Sequence, residues 1–227
     1  NSGNDNIFGT TDDITEKQIT TNTSDQIVEC IQGNRLVFRD ARNGNKDIYM
    51  YDLGNDGIFG TSDDISERQI TTNTSDQFSP EVYGDKIVYY DNRHGSYDIF
   101  MFDLSANQET RITNNPYSQV VPAIYKDKIV YHDDRNGGND VYMFDLSTGQ
   151  ETRITNNPYP QNNPRIYGNI IVWQDTRNWP TSLDNDIYCF DLSTNQETML
   201  AGVSVSQGGP FIYKNIIAWI KSPSISN

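Results

Sequence analysis

The sequence is poor in positive charge and lacks any long hydrophobic run. Seventeen Lys and Arg residues stand against 31 Asp and Glu residues, and the formal net charge at pH 7 is −14. A surface this acidic excludes nucleic acid as a partner, because phosphate contacts need clustered cations. It also argues against an anionic membrane surface, and no apolar stretch is long enough for insertion into a bilayer. We therefore expect a protein or a glycan as the partner.

The usual sequence signals of catalysis are also missing. The two histidines, His94 and His132, have no Cys or His neighbour at a metal-ligand spacing. There is no Gly-x-Ser-x-Gly nucleophile elbow and no Gly-rich phosphate loop. Carboxylates are abundant, but no pair stands out from the others. The sequence thus predicts no catalytic residues and a protein that is not an enzyme.

What the sequence does contain is one segment of roughly 42 residues written several times. Residues 78–119 and 120–161 are near copies, and every copy ends in a glutamine: Gln26, Gln77, Gln119, Gln161 and Gln207. A fixed period of this length, dense in short β-branched and aromatic runs, is typical of a β-propeller in which each repeat forms one blade.

The repeat predicts a single all-β domain over residues 1–227, a five-bladed propeller with four antiparallel strands in each blade. The predicted blades are residues 27–77, 78–119, 120–161, 162–207, and 208–227 together with 1–26. In this last blade we expect Thr15–Thr21 to lie beside Phe211–Trp219, because a ring closed by both termini leaves no open sheet edge.

The split blade lacks one strand of the pattern. Nothing in it matches the third-strand sequence DIYMY of Asp47–Tyr51. Either Ser224–Asn227 forms a poor substitute or the natural chain continues, and we favour the second interpretation.

Within a blade, four strands follow from the pattern: Pro80–Gly84, Lys86–Tyr90, Asp98–Leu104 and Glu109–Thr113. The second is almost wholly β-branched and aromatic, which is typical of a strand buried on both faces. Cys30 and Cys189 fall on blades one and four, which are not neighbours in a five-blade ring. A disulfide needs Cα atoms within about 7 Å, so we expect two free, mostly buried thiols.

The string IVYHDDRNGGNDVYMFDL, residues 129–146, resembles the WD40-like repeat of TolB-type propellers and the repeats of archaeal and bacterial surface proteins. The chain differs from TolB repeats at the first turn, where it has Tyr-Gly-Asp or Tyr-Lys-Asp in place of Pro-Asp-Gly. The resemblance implies a secreted or envelope-associated binding or scaffold protein. The high content of Asn, Thr, Ser and Tyr also favours an extracellular or cell-envelope location.

An Asp-x-Arg pair follows the second strand in four blades: Asp40 and Arg42, Asp91 and Arg93, Asp133 and Arg135, Asp175 and Arg177. A downstream Asp follows each pair, at Asp47, Asp98, Asp140 and Asp186. We interpret the arginine as a structural clamp that forks to carboxylates around the loop between strands two and three. The alternative is a ring of ligand contacts.

Two acidic segments, residues 3–13 and 54–64, occur only in the split blade and the first blade. They offer hard oxygen ligands from Asp5, Asp12, Asp13, Asp56, Asp63 and Asp64. Asn and Gly permit the tight turns of a calcium loop, and a solvated acidic hairpin is the alternative. Calcium is the one cofactor that the sequence suggests.

The repeats disagree most just after each glutamine, where the chain enters the innermost strand. Divergence there predicts a binding surface at the mouth of the central channel, and drift at an unconstrained rim is the alternative. The candidates are Glu29, Phe78, Glu81, Asn162, Asn163, Arg165 and Phe211, with Trp179 in a blade-four insertion.

The leading hypothesis is a non-enzymatic binding or scaffold module of a secreted or cell-surface protein, with its ligand at the channel mouth. It could stand within a larger multidomain chain or assembly. The alternative is a lectin-like or carbohydrate-active propeller that uses the same face.

Overall fold

The computed structural model describes residues 18–58, 61–178, 185–202 and 206–221. These residues form four antiparallel four-stranded sheets and one two-stranded sheet. The all-β prediction is confirmed. The count of five complete blades is not, because the fifth sheet has only two described strands. The described residues contain no helix long and apolar enough to cross a membrane.

The strands of the first sheet are β1 (Gln26–Gln32), β2 (Arg35–Asp40), β3 (Asp47–Asp52) and β4 (Ile65–Gln69). The second sheet contains β5 (Phe78–Tyr83), β6 (Lys86–His94), β7 (Ser96–Asp103) and β8 (Gln108–Arg111). The third contains β9 (Gln119–Tyr125), β10 (Lys128–Asp133), β11 (Asp140–Asp145) and β12 (Gln150–Arg153). The fourth contains β13 (Gln161–Tyr167), β14 (Ile170–Asp175), β15 (Asp186–Asp191) and β16 (Gln196–Ala201). The fifth contains β17 (Gln207–Tyr213) and β18 (Ile216–Lys221).

The structure moves the start of the first strand in each sheet relative to the sequence prediction, and it leaves the predicted closure by the two termini unconfirmed. The first strand of each sheet begins two to three residues earlier than predicted, so the divergent segment after the glutamine is part of the strand. His94 lies at the end of β6 and pairs with Ser96 of β7. In the predicted closing segment Thr15–Thr21, residues 15–17 lie outside the described part of the chain, and residues 18–21 form no strand and pair with neither β17 nor β18. The predicted pairing with Phe211–Trp219 is therefore not confirmed. The substitute strand Ser224–Asn227 lies wholly outside the described residues and stays a prediction.

The hydrophobic core lies between neighbouring sheets. Val37 and Ile48 of the first sheet pack with Ile87 and Tyr89 of the second, and all four are at most 4% exposed. Similar clusters join the second sheet to the third and the third to the fourth. The second strands of the four complete sheets, β2, β6, β10 and β14, are buried on both faces as predicted. The second strand of the fifth sheet, β18, is mostly exposed, contrary to the prediction.

The predicted arginine clamp is present in all four four-stranded sheets. In the third sheet, Arg135 donates to Asp133 at 2.5 Å and to Glu151 at 2.7 Å, and its guanidinium lies 4.3 Å from the centroid of the Tyr142 ring. Arg42, Arg93 and Arg177 make the same contacts in the other three sheets. The clamp ties strands two, three and four within one sheet.

The first strand of each sheet is the inner strand, and it has a register shift where it pairs with the second strand. The inner strands are β1, β5, β9, β13 and β17. The residue at this point has a positive φ in four sheets: Ser79 (44°), Val121 (53°), Asn163 (52°) and Gly209 (58°). A proline follows each of them, at 80, 122, 164 and 210. Proline is tolerated here because a β-bulge already interrupts the ladder and no N–H is needed.

Val121 is the strained member of this set, since a left-handed conformation is costly for a β-branched residue, by about 1–2 kcal/mol. Asn tolerates this region, as Asn163 does in the next sheet. We expect Val121→Asn to raise the free energy of unfolding by about 1 kcal/mol, measured by urea denaturation. The reverse swap, Asn163→Val, should lower it by a similar amount. Equal stability of both variants and the parent would contradict the strain argument.

Candidate functional site in the central channel

The five inner strands β1, β5, β9, β13 and β17 line one common cavity of ≈ 630 Å³. Its walls come from the middle and the end of each strand, from the bulge to the turn that leads into the second strand. A volume of this size lies within the range of small-ligand pockets, about 300–1,000 Å³.

One position in the cavity wall differs in every sheet. It carries Cys30, Glu81, Ala123, Arg165 and Phe211 in chain order, and all of these except Ala123 line the cavity. The next residue is aliphatic in every sheet: Ile31, Val82, Ile124, Ile166 and Ile212. The variable residues therefore project from a constant wall and give the cavity its chemical asymmetry.

An ion pair crosses this cavity between the second and fourth sheets. Arg165 Nε lies 3.4 Å from Glu81 Oε1, and Ala123 is the residue at the same position of the sheet between them. Desolvation raises the pKa of Glu81, and Arg165 and a backbone hydrogen bond from Ile124 partly oppose this shift. The pair places one carboxylate and one guanidinium where a ligand in the cavity would meet them.

A ring of tyrosines surrounds one end of the cavity. Tyr83, Tyr125, Tyr167 and Tyr213 follow one another around the axis, with ring centroids 5.0, 4.6 and 5.4 Å apart. Gln32 takes the same position in the first sheet. Aromatic residues here supply a broad apolar surface with hydroxyl groups at its edge.

A second set of variable residues, which was not predicted from the sequence, lies on the second strands opposite the start of each inner strand. Through strand pairing, the residues just after the glutamines oppose Arg39, Tyr90, His132, Gln174 and Ile220. These residues differ between blades although they stand next to Asp40, Asp91, Asp133 and Asp175 in four of them. That contrast between a fixed Asp and a changing neighbour was the signal that could have found them.

Two members of this second set make specific contacts. Arg39 pairs with Glu29, and Tyr90 stacks on Phe78 with centroids 5.3 Å apart. His132 is 8% exposed, and its Nδ1 has no hydrogen-bond partner among the described residues. Burial lowers the pKa of His132 to about 4.

The predicted mouth residues divide into three groups. Glu29, Glu81, Arg165 and Phe211 line the cavity. Phe78, Asn162 and Asn163 lie at the strand starts, where Phe78 packs on aromatic rings and the asparagines bond to Asn139 and Gln174. Trp179 lies outside the described residues. Some residues predicted at the channel mouth thus line the cavity itself. The tyrosine ring was not predicted from the sequence.

The acidic segment brings Asp56, Asp63 and Asp64 together, with one carboxylate oxygen from each within 4.8 Å of the others. Asp63 already accepts hydrogen bonds from the backbone N–H of Asn55 at 2.7 Å and from Thr61 Oγ1 at 2.6 Å. These oxygens could hold a cation, but local hydrogen bonds also account for the fold of the loop. Asp5, Asp12 and Asp13 lie outside the described residues, so calcium stays a prediction.

Both cysteines are free, as predicted, but each is only half-buried. Cys30 faces the cavity, and burial raises the pKa of its thiol. Cys189, which is on β15, also has a pKa raised by burial. Neither thiol is therefore an activated nucleophile.

No protein-family model and no curated protein matches the sequence. Solved structures do match the fold. A TolB structure from Agrobacterium tumefaciens has a TM-score of 0.59 at 20% identity, over 74% of this chain and 61% of its own. TolB from Acinetobacter baumannii has a TM-score of 0.61 at 17% identity, over 87% of this chain and 49% of its own. The chain has the β-propeller fold of TolB proteins and spans less than two thirds of their length.

Enzymes share this fold as well. Oligogalacturonate lyase from Vibrio parahaemolyticus has a TM-score of 0.63 at 12% identity, over 84% of this chain and 56% of its own. A puromycin-hydrolyzing peptidase from Mycobacterium tuberculosis also matches, at 10% identity. The prediction that the chain is not an enzyme is contradicted by these neighbours. At such low identity they show the fold alone, and no reaction comes with them.

Proposed function

We propose that this chain is a ligand-binding propeller whose ligand occupies the central-channel cavity. The observation that carries the proposal is the variable position of Cys30, Glu81, Arg165 and Phe211. Four different chemical groups face one cavity from the same strand position, while the residue that follows them is aliphatic in every sheet. We also propose an extracellular or cell-envelope location, which rests on composition and on the TolB-like repeat.

The ligand class follows from the cavity wall. The ion pair of Glu81 and Arg165 offers hydrogen bonds to hydroxyl, amide or carboxyl groups. The tyrosine ring offers apolar surface to a sugar face or to an aromatic or proline side chain. These features fit a short peptide segment of a partner protein, and a glycan of the cell surface is the second candidate.

A ligand screen with one cavity variant tests the proposal. A glycan array and a thermal-shift screen of short peptides would first identify what the intact chain binds. Arg165→Gln is then expected to weaken binding at least tenfold, because it removes the one cation among the variable residues of the wall. Its melting temperature should change little, since the pair is partly exposed and such pairs stabilise by about 1 kcal/mol or less.

The matched control is Lys86→Gln, which removes a positive charge from a second strand outside the cavity wall. It should leave the affinity unchanged. An Arg165→Gln variant that binds as tightly as the parent would contradict the proposed site, as would a parent that binds no glycan and no peptide.

The calcium hypothesis is tested separately by titration calorimetry. Calcium binding that is present in the parent and absent in Asp63→Asn would support a metal loop, because Asp63 is central to the acidic cluster. No heat of binding in the parent would support the solvated hairpin.

A further inference from the structure

The fifth sheet presents a strand whose sequence suits full burial but whose residues are exposed. β18 reads IIAWIK, and Ile216, Trp219 and Ile220 are 63%, 38% and 70% exposed. The aromatic residues at the position of Trp219 in the other sheets are at most 2% exposed: Phe38, Tyr89, Tyr131 and Trp173. Among the described residues, β18 pairs only with β17. A long apolar strand with a free edge is a template for another strand.

The four complete sheets show which strand belongs on this edge. The second strand pairs there with a third strand of nearly constant sequence: DIYMYD, DIFMFD, DVYMFD and DIYCFD. The register is the same each time, so that the second-strand aromatic residue faces a third-strand aromatic residue. The four facing rings stack at centroid distances of 5.8, 5.9, 6.2 and 6.2 Å. Trp219 is the fifth member of the second-strand set.

The backbone of the turn before the second strand repeats as well. The leucine that follows each third strand donates its N–H to a turn carbonyl: Leu53 to Asn34, Leu104 to Asp85, Leu146 to Asp127 and Leu192 to Asn169. These bonds are 2.7–2.8 Å long. Asn215 occupies the same place before β18. An incoming strand of the pattern Asp-aliphatic-aromatic-x-aromatic-Asp-Leu would find its final acceptor there.

The charge at the other end of β18 also fits such a strand. In each complete sheet an Asp of the second strand pairs with the first Asp of the third strand, as Asp91 does with Asp98 and Asp133 with Asp140. β18 has Lys221 at this position, and Lys221 is exposed. An incoming Asp would therefore meet a cation, and opposite charges on facing residues stabilise strand pairing.

We propose that β18 is an acceptor edge for one extended segment of a partner polypeptide with the pattern Asp-[Ile/Val]-[Tyr/Phe]-x-[Tyr/Phe]-Asp-Leu. The segment adds as a third strand, antiparallel to β18. Its first Asp pairs with Lys221, its first aromatic residue stacks on Trp219, and the N–H of its Leu donates to Asn215. Main-chain hydrogen bonds supply affinity in this kind of strand addition, and the alternating side chains supply specificity. The site is separate from the channel cavity.

The experiment titrates the full chain with a synthetic peptide of the sequence of residues 139–147, NDVYMFDLS. The peptide contains no Trp, so tryptophan emission reports on the protein. We expect saturable binding and a shift of the emission to shorter wavelength, because Trp219 becomes buried. A peptide with the same residues in scrambled order should not bind. A folded chain that shows no binding up to millimolar peptide, or equal binding of the scrambled peptide, overturns the proposal.

Two variants locate the binding edge. Trp219→Ala should weaken peptide binding at least tenfold, and its affinity is measured by titration calorimetry because the variant lacks the reporting tryptophan. Lys221→Asp should weaken it several-fold at low salt and less at high salt, because attraction to the first Asp becomes screened repulsion. Lys126→Asp, which makes the same charge change in the hairpin turn of the third sheet, should have no effect. Unchanged affinity in Lys221→Asp at low salt overturns the proposal, and this variant decides alone if Trp219→Ala does not fold.

Discussion

Arg135→Ala is expected to lower the free energy of unfolding by about 3–5 kcal/mol. Arg135 is the ion partner of Asp133, whose side chain is fully buried, and it also bonds to Glu151. Without the guanidinium, a buried carboxylate keeps its desolvation cost and loses its counterion. The stacking on Tyr142 is lost as well. Urea denaturation at pH 7, followed by circular dichroism, measures the change.

Two further variants show whether the fork or the charge is responsible. Lys128→Ala removes a partly exposed pair with Asp145 and should cost about 1 kcal/mol or less. Arg135→Lys should fall between the two, since a lysine keeps the charge but not the planar fork to two carboxylates. A cost below 1 kcal/mol for Arg135→Ala would show that Asp133 is stabilised without its clamp.

The second large effect is a pH dependence that His132→Gln should remove. His132 has a pKa of about 4 in the folded chain, and desolvation is the main cause. An unfolded histidine has a pKa of about 6.5, so the unfolded chain binds a proton first as the pH falls. Above pH 6.5 the histidine is neutral in both states and does not change the free energy of unfolding. Between pH 6.5 and 4 the free energy of unfolding falls progressively. Each unit of difference between the two pKa values corresponds to about 1.36 kcal/mol, so the loss amounts to about 3 kcal/mol at pH 4.

Glutamine is the matched replacement, because Gln174 occupies the same position in the next sheet. The two proteins share all other titrating groups, including Asp134 near His132, so the difference between their stability curves isolates the histidine. Urea denaturation at half-unit steps from pH 7 to 4 gives that difference. It should be constant above pH 6.5 and change by about 3 kcal/mol by pH 4. Parallel curves would place the pKa of His132 near its ordinary value.

The repeat made the sheets and the clamp predictable. A residue that recurs at one place in every copy must serve something that every blade needs, and Asp133, Arg135 and their counterparts do so within single sheets. The second strands were predictable for a similar reason, because a run such as KIVYY has no polar face to expose. The fixed positions of a repeat report on folding.

The site was harder to predict because repetition does not show which side of an inner strand faces the channel. The bulge at Ser79 and its counterparts breaks the two-residue alternation. Counting along the strand therefore misplaced Phe78, which packs on Tyr90 and Tyr97, while Glu81 and Tyr83 line the cavity. The tyrosine ring was overlooked because its residues are constant, and constant residues were assigned to the fold.

The bulges also divide each inner strand into two parts. The start of the strand pairs with the variable residues of the second strand, and the end of the strand lines the cavity. The residue at the position of Glu81 follows directly on the irregularity, so a new side chain there disturbs few ladder hydrogen bonds. Cys, Glu, Ala, Arg and Phe are all accommodated at this point on nearly the same backbone. A combinatorial library randomised at Cys30, Glu81, Ala123, Arg165 and Phe211 would therefore yield many differently shaped cavities on one unchanged set of sheets. New binding specificities could evolve or be selected there without redesign of the other strands.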